Sequence, residues 1–278
     1  MPTAKIDGVN LFYERTGIIG EPLVLVHGSW TDHHNWDAVV PALSQTFRVL
    51  SYDRRGHGRS ERALGQGLVR QDMADLAELI TQLDLAPAHI VGHSFGGSVV
   101  LRLAVEQPEL FRSLIVHEPP LLDLLADDPT TSSLYSLDKE TVRRIHEVAE
   151  DLERGDLVGA AHRFVDTVAF GPGAWEHLPP SVQQSFIRNA PPFLDQVRDP
   201  DAFAIDLARL ARFPHPMLLT QGDHSPPFLP PIMAKLRAAM PRAEARTLTG
   251  AGHTPQVSHP TEYAELITAF IRDQAGSR

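Results

Sequence analysis

The feature that most constrains this chain is a set of short apolar runs, most of them closed by glycine or a polar residue. They are Pro22 to Val26, ending at His27-Gly28; Phe47 to Tyr52, ending at Asp53; His89 to Val91, ending at Gly92; Ser113 to His117, ending at Glu118; Met217 to Leu219; and Ala245 to Leu248. Runs of this length suit strands buried on both faces, as in a parallel sheet. Helical patterns fill the intervals. Val69, Met73, Leu76, Ile80 and Leu83 form one apolar stripe, and Ser98 to Glu106 follows the third run with Pro108 just beyond its end. Pro260 to Ile271 closes the series with Tyr263, Leu266, Ile267 and Phe270 on one face. Near the N-terminus, Lys5 to Glu14 reads as two short strands around an Asp7-Gly8 turn. Such alternation predicts an α/β fold, a mostly parallel central sheet flanked by helices.

The rhythm breaks between Pro119 and Pro214, where helical periodicity continues without a clear strand. Val142, Ile145, Ala149 and Leu152 make one stripe, and Leu157, Ala160, Ala161, Phe164 and Val168 another. Gly171-Pro172-Gly173 and Pro179-Pro180 punctuate the stretch. The expected organisation is a core of residues 1–119 and 214–278, with residues 120–213 inserted as a helical cap. An insertion at the C-terminal strand edge would act as a lid, because ligands bind at that edge in open α/β sheets. The alternative is a second small helical domain with no part in the site.

Composition narrows the partners. The formal net charge is −10, which should repel nucleic acid phosphates and anionic membranes. There are no cysteines, which excludes disulfides, thiolate zinc sites and a cysteine nucleophile. The first residues carry no apolar run of a secretory signal, and no stretch approaches the roughly 20 apolar residues that span a bilayer. We therefore expect a cytoplasmic protein that acts on a small molecule as a monomer or homodimer, without cofactor or metal.

The chemistry centres on Gly92-His93-Ser94-Phe95-Gly96, a G-x-S-x-G pattern. A strand-like run precedes it and small residues, Gly97-Ser98, open a helix after it. On a tight strand-to-helix turn Ser94 would expose its Oγ as a nucleophile. The positions two before and two after it must be tiny, or strand and helix would clash. The helix N-terminus then supports negative charge on an attacked carbonyl.

With His27-Gly28-Ser29-Trp30, Tyr52-Asp53-Arg54-Arg55-Gly56-His57-Gly58-Arg59-Ser60, this elbow and Gly250-Ala251-Gly252-His253, the chain resembles the α/β-hydrolase superfamily, cap-bearing branch, in order along nearly its whole length. Serine needs a base. Of the 14 histidines, His253 follows the sixth run in a flexible Gly-Ala-Gly-His-Thr-Pro loop, and the order serine then histidine agrees with the superfamily. His93 is expected to point elsewhere, His57 to be structural, and His259 to lead into the last helix. His33 and His34, adjacent at a helix start, should face different ways rather than bind a metal.

The superfamily usually carries its third residue after the strand represented by Met217 to Leu219, as glycine, two residues, then aspartate. Here Gly222-Asp223-His224-Ser225 puts Ser225 in that place. Serine cannot supply the negative charge that orients and stabilises a histidinium. Two carboxylates are candidates. Glu118 ends the fourth run, where lactonases and dehalogenases with a relocated acid carry theirs, and is preferred. Asp223, two residues early, is the alternative.

The resemblance also implies an oxyanion hole from the backbone N–H groups of Phe95 and Ser29, with Trp30 as a further candidate. Trp30 and Phe95 side chains are otherwise expected to line the acyl pocket or, for Trp30, to pack the core. The apolar 120–213 segment, with Leu121, Leu122, Leu124, Leu125, Phe164, Phe170, Trp175, Phe186 and Phe193, suits an uncharged, fairly apolar ester or lactone. For Arg188-Asn189 a solvated helix face is preferred, with a polar handle for the substrate as the alternative. The expected activity is a serine hydrolase of carboxylesterase or lactonase type. Relatives of the fold that hydrolyse carbon–carbon bonds, catalyse cofactor-free dioxygenation or act as ligand receptors remain alternatives, whereas serine in place of aspartate argues against dehalogenases and epoxide hydrolases.

Overall fold

The structure, a computed structural model, describes residues 2–62, 68–126 and 132–275. Its eight strands are β1 (Thr3–Ile6), β2 (Val9–Thr16), β3 (Pro22–Val26), β4 (Arg48–Tyr52), β5 (Ala88–His93), β6 (Phe111–His117), β7 (Met217–Gly222) and β8 (Glu244–Leu248). They form one sheet in the order β1-β2-β4-β3-β5-β6-β7-β8. β1 and β2 are antiparallel to each other, as are β2 and β4, and every pairing from β4 to β8 is parallel. The strand order reverses between β3 and β5, so a crevice opens at their C-terminal ends.

The apolar runs become strands because both faces of the sheet are covered. Along β3, Val24 and Val26 join one buried cluster while Leu23 and Leu25 join the other. Fully burying such a side chain contributes about 1.5–3 kcal/mol. Helices α1 (Val69–Gln82) and α2 (Phe95–Glu106) cover the first face, and α8 (Pro260–Ala275) covers the second with Tyr263, Ile267 and Phe270 inward. The sixth run departs from the expectation of two-sided burial. β8 is the edge strand, and Arg246 and Thr247 within it are exposed.

Between β6 and β7 the described residues form helices and no strand. The longer ones are α3 (Ser132–Glu153), α4 (Leu157–Phe164), α5 (Pro180–Arg188) and α6 (Pro191–Arg198); α7 (Leu229–Ala239) follows β7. The two stripes read from the sequence fall on α3 and on α4 with the π-turn Val165–Ala169 that continues it. Ile145, Leu152, Ala160 and Ala161 share the core cluster of the first sheet face.

Candidate active site

Ser94 stands between β5 and α2 with φ 52° and ψ −125°, a conformation that few L-residues adopt. Its N–H donates to the His117 carbonyl at 2.8 Å, which anchors the turn to β6. The glycine spacing explains how the turn fits. A Cβ on Gly96 would lie 2.5 Å from the His27 carbonyl oxygen and closer still to that of Val26, and one on Gly92 would lie 2.7 Å from the Gly96 carbonyl oxygen. The helix begins at Phe95, three residues before the expected start at Ser98. Glycines weaken a helix signal in sequence, but here only they let the first turn touch the end of β3.

His253 lies in the loop after β8. Its Nδ1 donates to Glu118 Oε2 at 2.7 Å, which leaves Nε2 with the lone pair. Ser94 and His253 line the same pocket. No hydrogen bond joins Ser94 Oγ to His253 among the described contacts; such bonds commonly tighten only around a substrate.

Glu118 directly follows β6, fully buried, with φ 44°. Oε1 accepts the Gly222 N–H at 2.8 Å, and His117 Nε2 is 3.4 Å from Oε2. Burial pushes the carboxyl up, but the neighbouring His117 and the bond from His253 outweigh it and hold Glu118 well below the usual carboxylate range. It is therefore an anion beside the histidine. Asp223 is exposed and takes a different partner, the Gly250 N–H at 2.7 Å. It braces the loop that carries His253 without touching the ring. Ser225 Oγ is buried and has no partner among the described residues.

His93 does not point away. It is buried, lines the pocket beside Ser94, and its Nε2 donates to the His253 carbonyl at 2.7 Å. Burial, and then the neighbouring His253 and His117, hold His93 well below the ordinary histidine range, so it is neutral. His117 Nδ1 meets Thr220 Oγ1 at 3.0 Å. His57 is buried against Arg54, and the Tyr263 N–H donates to the His259 carbonyl at 3.0 Å where the last helix begins. Sequence reading missed His93 as a support because its partner lies 160 positions away.

Ser29 follows β3, and its hydroxyl donates to Gln196 Oε1 on α6 at 2.6 Å. Neither the Ser29 nor the Phe95 N–H donates to another described residue, so both amides remain available; Phe95, first in its helix, has no partner one turn earlier. Trp30 and Phe95 do not line the pocket. Trp30 is fully buried, stacked on Phe164 at 4.6 Å and near Phe193 at 5.0 Å, and Phe95 lies under Arg54. Both side chains are too deeply packed for a ligand to reach, which leaves only their backbone to the site.

The pocket measures about 690 Å³ including its mouth. Phe164, Phe170, Phe186, Phe193, Phe203 and Phe228 supply its aromatic wall, and Ser29, Thr31, His93, Ser94, His253 and Thr254 its polar atoms. No Asp, Glu, Lys or Arg is among the described lining residues. Leu121, Leu122 and Leu125 pack in the core, and Trp175 is stacked on His162. Asn189 is neither a polar handle nor on a solvated face. It is buried, its Nδ2 donates to Asp32 Oδ2 at 3.1 Å, and its Oδ1 accepts the Gly58 N–H at 2.8 Å. Exposed Arg188 reaches the same Asp32 oxygen at 3.5 Å.

Among the described residues, two groups bring the ligating atoms of three side chains within 4.8 Å of one another, Asp32-His33-His34 and His117-Glu118-His253. In the first, buried His33 bonds Asp53 at 2.6 Å and exposed His34 bonds Asp37 at 2.8 Å, although their rings lie 4.0 Å apart. The second is the Glu118 cluster already described. In both, the ligating side chains already hold protein partners.

The family model described as the alpha/beta hydrolase family matches residues 23–266. Over 268 residues the chain is 26% identical to the 2-hydroxymuconate semialdehyde hydrolase of Pseudomonas sp. (strain CF600), covering 91% of this chain and 88% of that protein. A shorter match, 42% identical over 112 residues, covers 40% of this chain and 30% of the dihydrolipoyllysine-residue acetyltransferase component of the acetoin cleaving system of Pseudomonas putida. Among solved structures, the enol-lactonase from Burkholderia xenovorans LB400 superposes with a TM-score of 0.79 at 21% identity, over 98% of this chain and all of that one.

Proposed function

The chain belongs to the alpha/beta hydrolase family, and on that premise we propose that it is a serine hydrolase cleaving a small to medium, fairly apolar carboxylic ester or lactone through an acyl-enzyme. The observation that carries the reading is the 2.7 Å bond between buried, ionised Glu118 and His253, beside Ser94 in a pocket whose described lining residues carry no Asp, Glu, Lys or Arg.

Ser94 Oγ attacks the acyl carbonyl while His253 Nε2 takes its proton. Glu118 keeps the ring in the Nδ1–H tautomer and stabilises the imidazolium. Charge on the carbonyl oxygen is met by the Ser29 and Phe95 N–H groups. Collapse of the tetrahedral intermediate expels the alcohol, protonated by His253. Water, deprotonated by His253, then frees the acid and restores Ser94. The helices of residues 120–213 form the cap, whose phenylalanines seat the acyl chain and exclude water. An uncharged substrate suits that wall, because a buried charge without a partner is costly.

A second reading, hydrolysis of a carbon–carbon bond beside a ketone by the same residues, draws on the nearly full-length likeness to the 2-hydroxymuconate semialdehyde hydrolase. One experiment tests the first reading and ranks the second. A fluorophosphonate probe read by intact mass should add once, at Ser94, and not to Ser94→Ala; a panel of esters, lactones and vinylogous diketones then shows which bond is cut. An unlabelled Ser94 would overturn both readings.

A further inference from the structure

We propose that Gln196 is a positioning residue that sets the oxyanion loop from the cap. The inference rests on the reading of Ser29 N–H as an oxyanion donor and deepens it. Ser29 makes one hydrogen bond among the described residues, from its hydroxyl to Gln196 Oε1 at 2.6 Å. Its neighbour Trp30 turns the chain with φ 64° and packs on Phe164 and Phe193. The side chains of both loop residues are thus held by the helical segment between β6 and β7.

Gln196 is 3% exposed, and an unpaired polar group at that depth costs free energy. It lies one helical turn beyond Phe193, which lines the pocket, so both occupy the same side of α6. The helix is itself tied to the core. Asp195 pairs with Arg62 at 2.8 Å, and Asp199, which closes the helix, accepts the Val69 N–H at 2.5 Å. An acyl group seated on Phe193 therefore presses on the helix that aims the Ser29 amide. The acyl wall and the tether to Ser29 thus share one helix. In this way α6 couples acyl-chain recognition to stabilisation of the oxyanion, a specificity device separate from the pocket's shape.

The test compares Ser29→Ala, Gln196→Met and the double variant. It measures kcat and KM on p-nitrophenyl butyrate and the rate of phosphonylation of Ser94 by a fluorophosphonate. Each single variant should lower kcat and the phosphonylation rate by about ten- to a hundredfold with KM changed by less than about threefold. The double variant should match the single ones, because both remove one bond. Gln196→Glu, which keeps an acceptor oxygen, should recover most of kcat. Multiplying effects in the double variant, unchanged kcat in Gln196→Met, or a Gln196→Glu variant as slow as Gln196→Met would overturn the inference while a labelled wild-type Ser94 leaves the hydrolase reading standing. A wild-type protein that is not labelled at Ser94 would remove the ground for both.

Discussion

At Gly96 the space for one methyl group decides whether the nucleophile's turn can close. A Cβ there would meet the backbone of β3, which is held in the sheet by β4 and β5 and cannot give way. Gly96→Ala should therefore cost about 1–3 kcal/mol, as overpacking does, and slow Ser94 phosphonylation. Urea unfolding with the labelling assay checks both; an unchanged midpoint and rate would mean that the turn tolerates a side chain. Glu118 shows the same dependence on backbone. Its φ of 44° aims a carboxylate back along the sheet edge, where Gly222 N–H and His253 converge on it. Where the superfamily pattern places an aspartate, half-buried Ser225 carries only a hydroxyl, and the negative charge beside His253 comes from Glu118 at the end of the neighbouring strand.

Among elements, the sheet was legible because apolar runs and helical stripes are local signals. Four runs lie within buried strands and the fifth, Phe47 to Tyr52, overhangs β4 by one residue and includes exposed Arg48; β8 departs further, since an edge strand with Arg246 and Thr247 exposed carries the same short apolar bracket. Ser94 and Glu118 stood out in the sequence because each follows an apolar run, and His253 because it sits in the glycine-rich loop after the last one. The supports did not. His93 with His253, Ser29 with Gln196 and Asn189 with Asp32 join residues far apart in the chain, and no periodicity encodes such pairs. The one available signal was a polar residue on an apolar face, Gln196 a turn after Phe193. Asn189, just after α5, pins the segment between β6 and β7 to the core through Asp32 and Gly58. Asn189→Ala should lose about 1–3 kcal/mol by stranding those partners, read as a lower urea midpoint. A midpoint equal to wild type would show that the Asn189 bonds do not hold the segment in place.

Over the whole molecule, burial writes a pH dependence. Desolvation, the largest cause in each case, holds His27, His57, His93 and His117 below the ordinary value of 6.5. Below that value the unfolded chain takes up protons that the folded protein refuses, so stability present above about pH 6.5 is lost as pH falls. His33 runs the other way. Burial lowers it, but its bond to Asp53 and the nearby carboxylates outweigh that, so its contribution is lost as pH rises. Four groups against one predict a Tm that is flat from about pH 7 to 8 and falls steadily from pH 7 to 5; a Tm constant over the lower range would contradict it. The sheet also gathers the ends of β3, β5, β6 and β8 at one edge, where Ser29, Ser94, Glu118 and His253 meet. The central claim is that these residues act together, with the carboxylate on β6's end. Its most direct test is kcat of Glu118→Gln beside Asp223→Asn on a turned-over ester, with folding checked by Tm. Glu118→Gln should fall by about a thousandfold or more and Asp223→Asn by less than about tenfold; a crippled Asp223→Asn with an active Glu118→Gln would contradict the account.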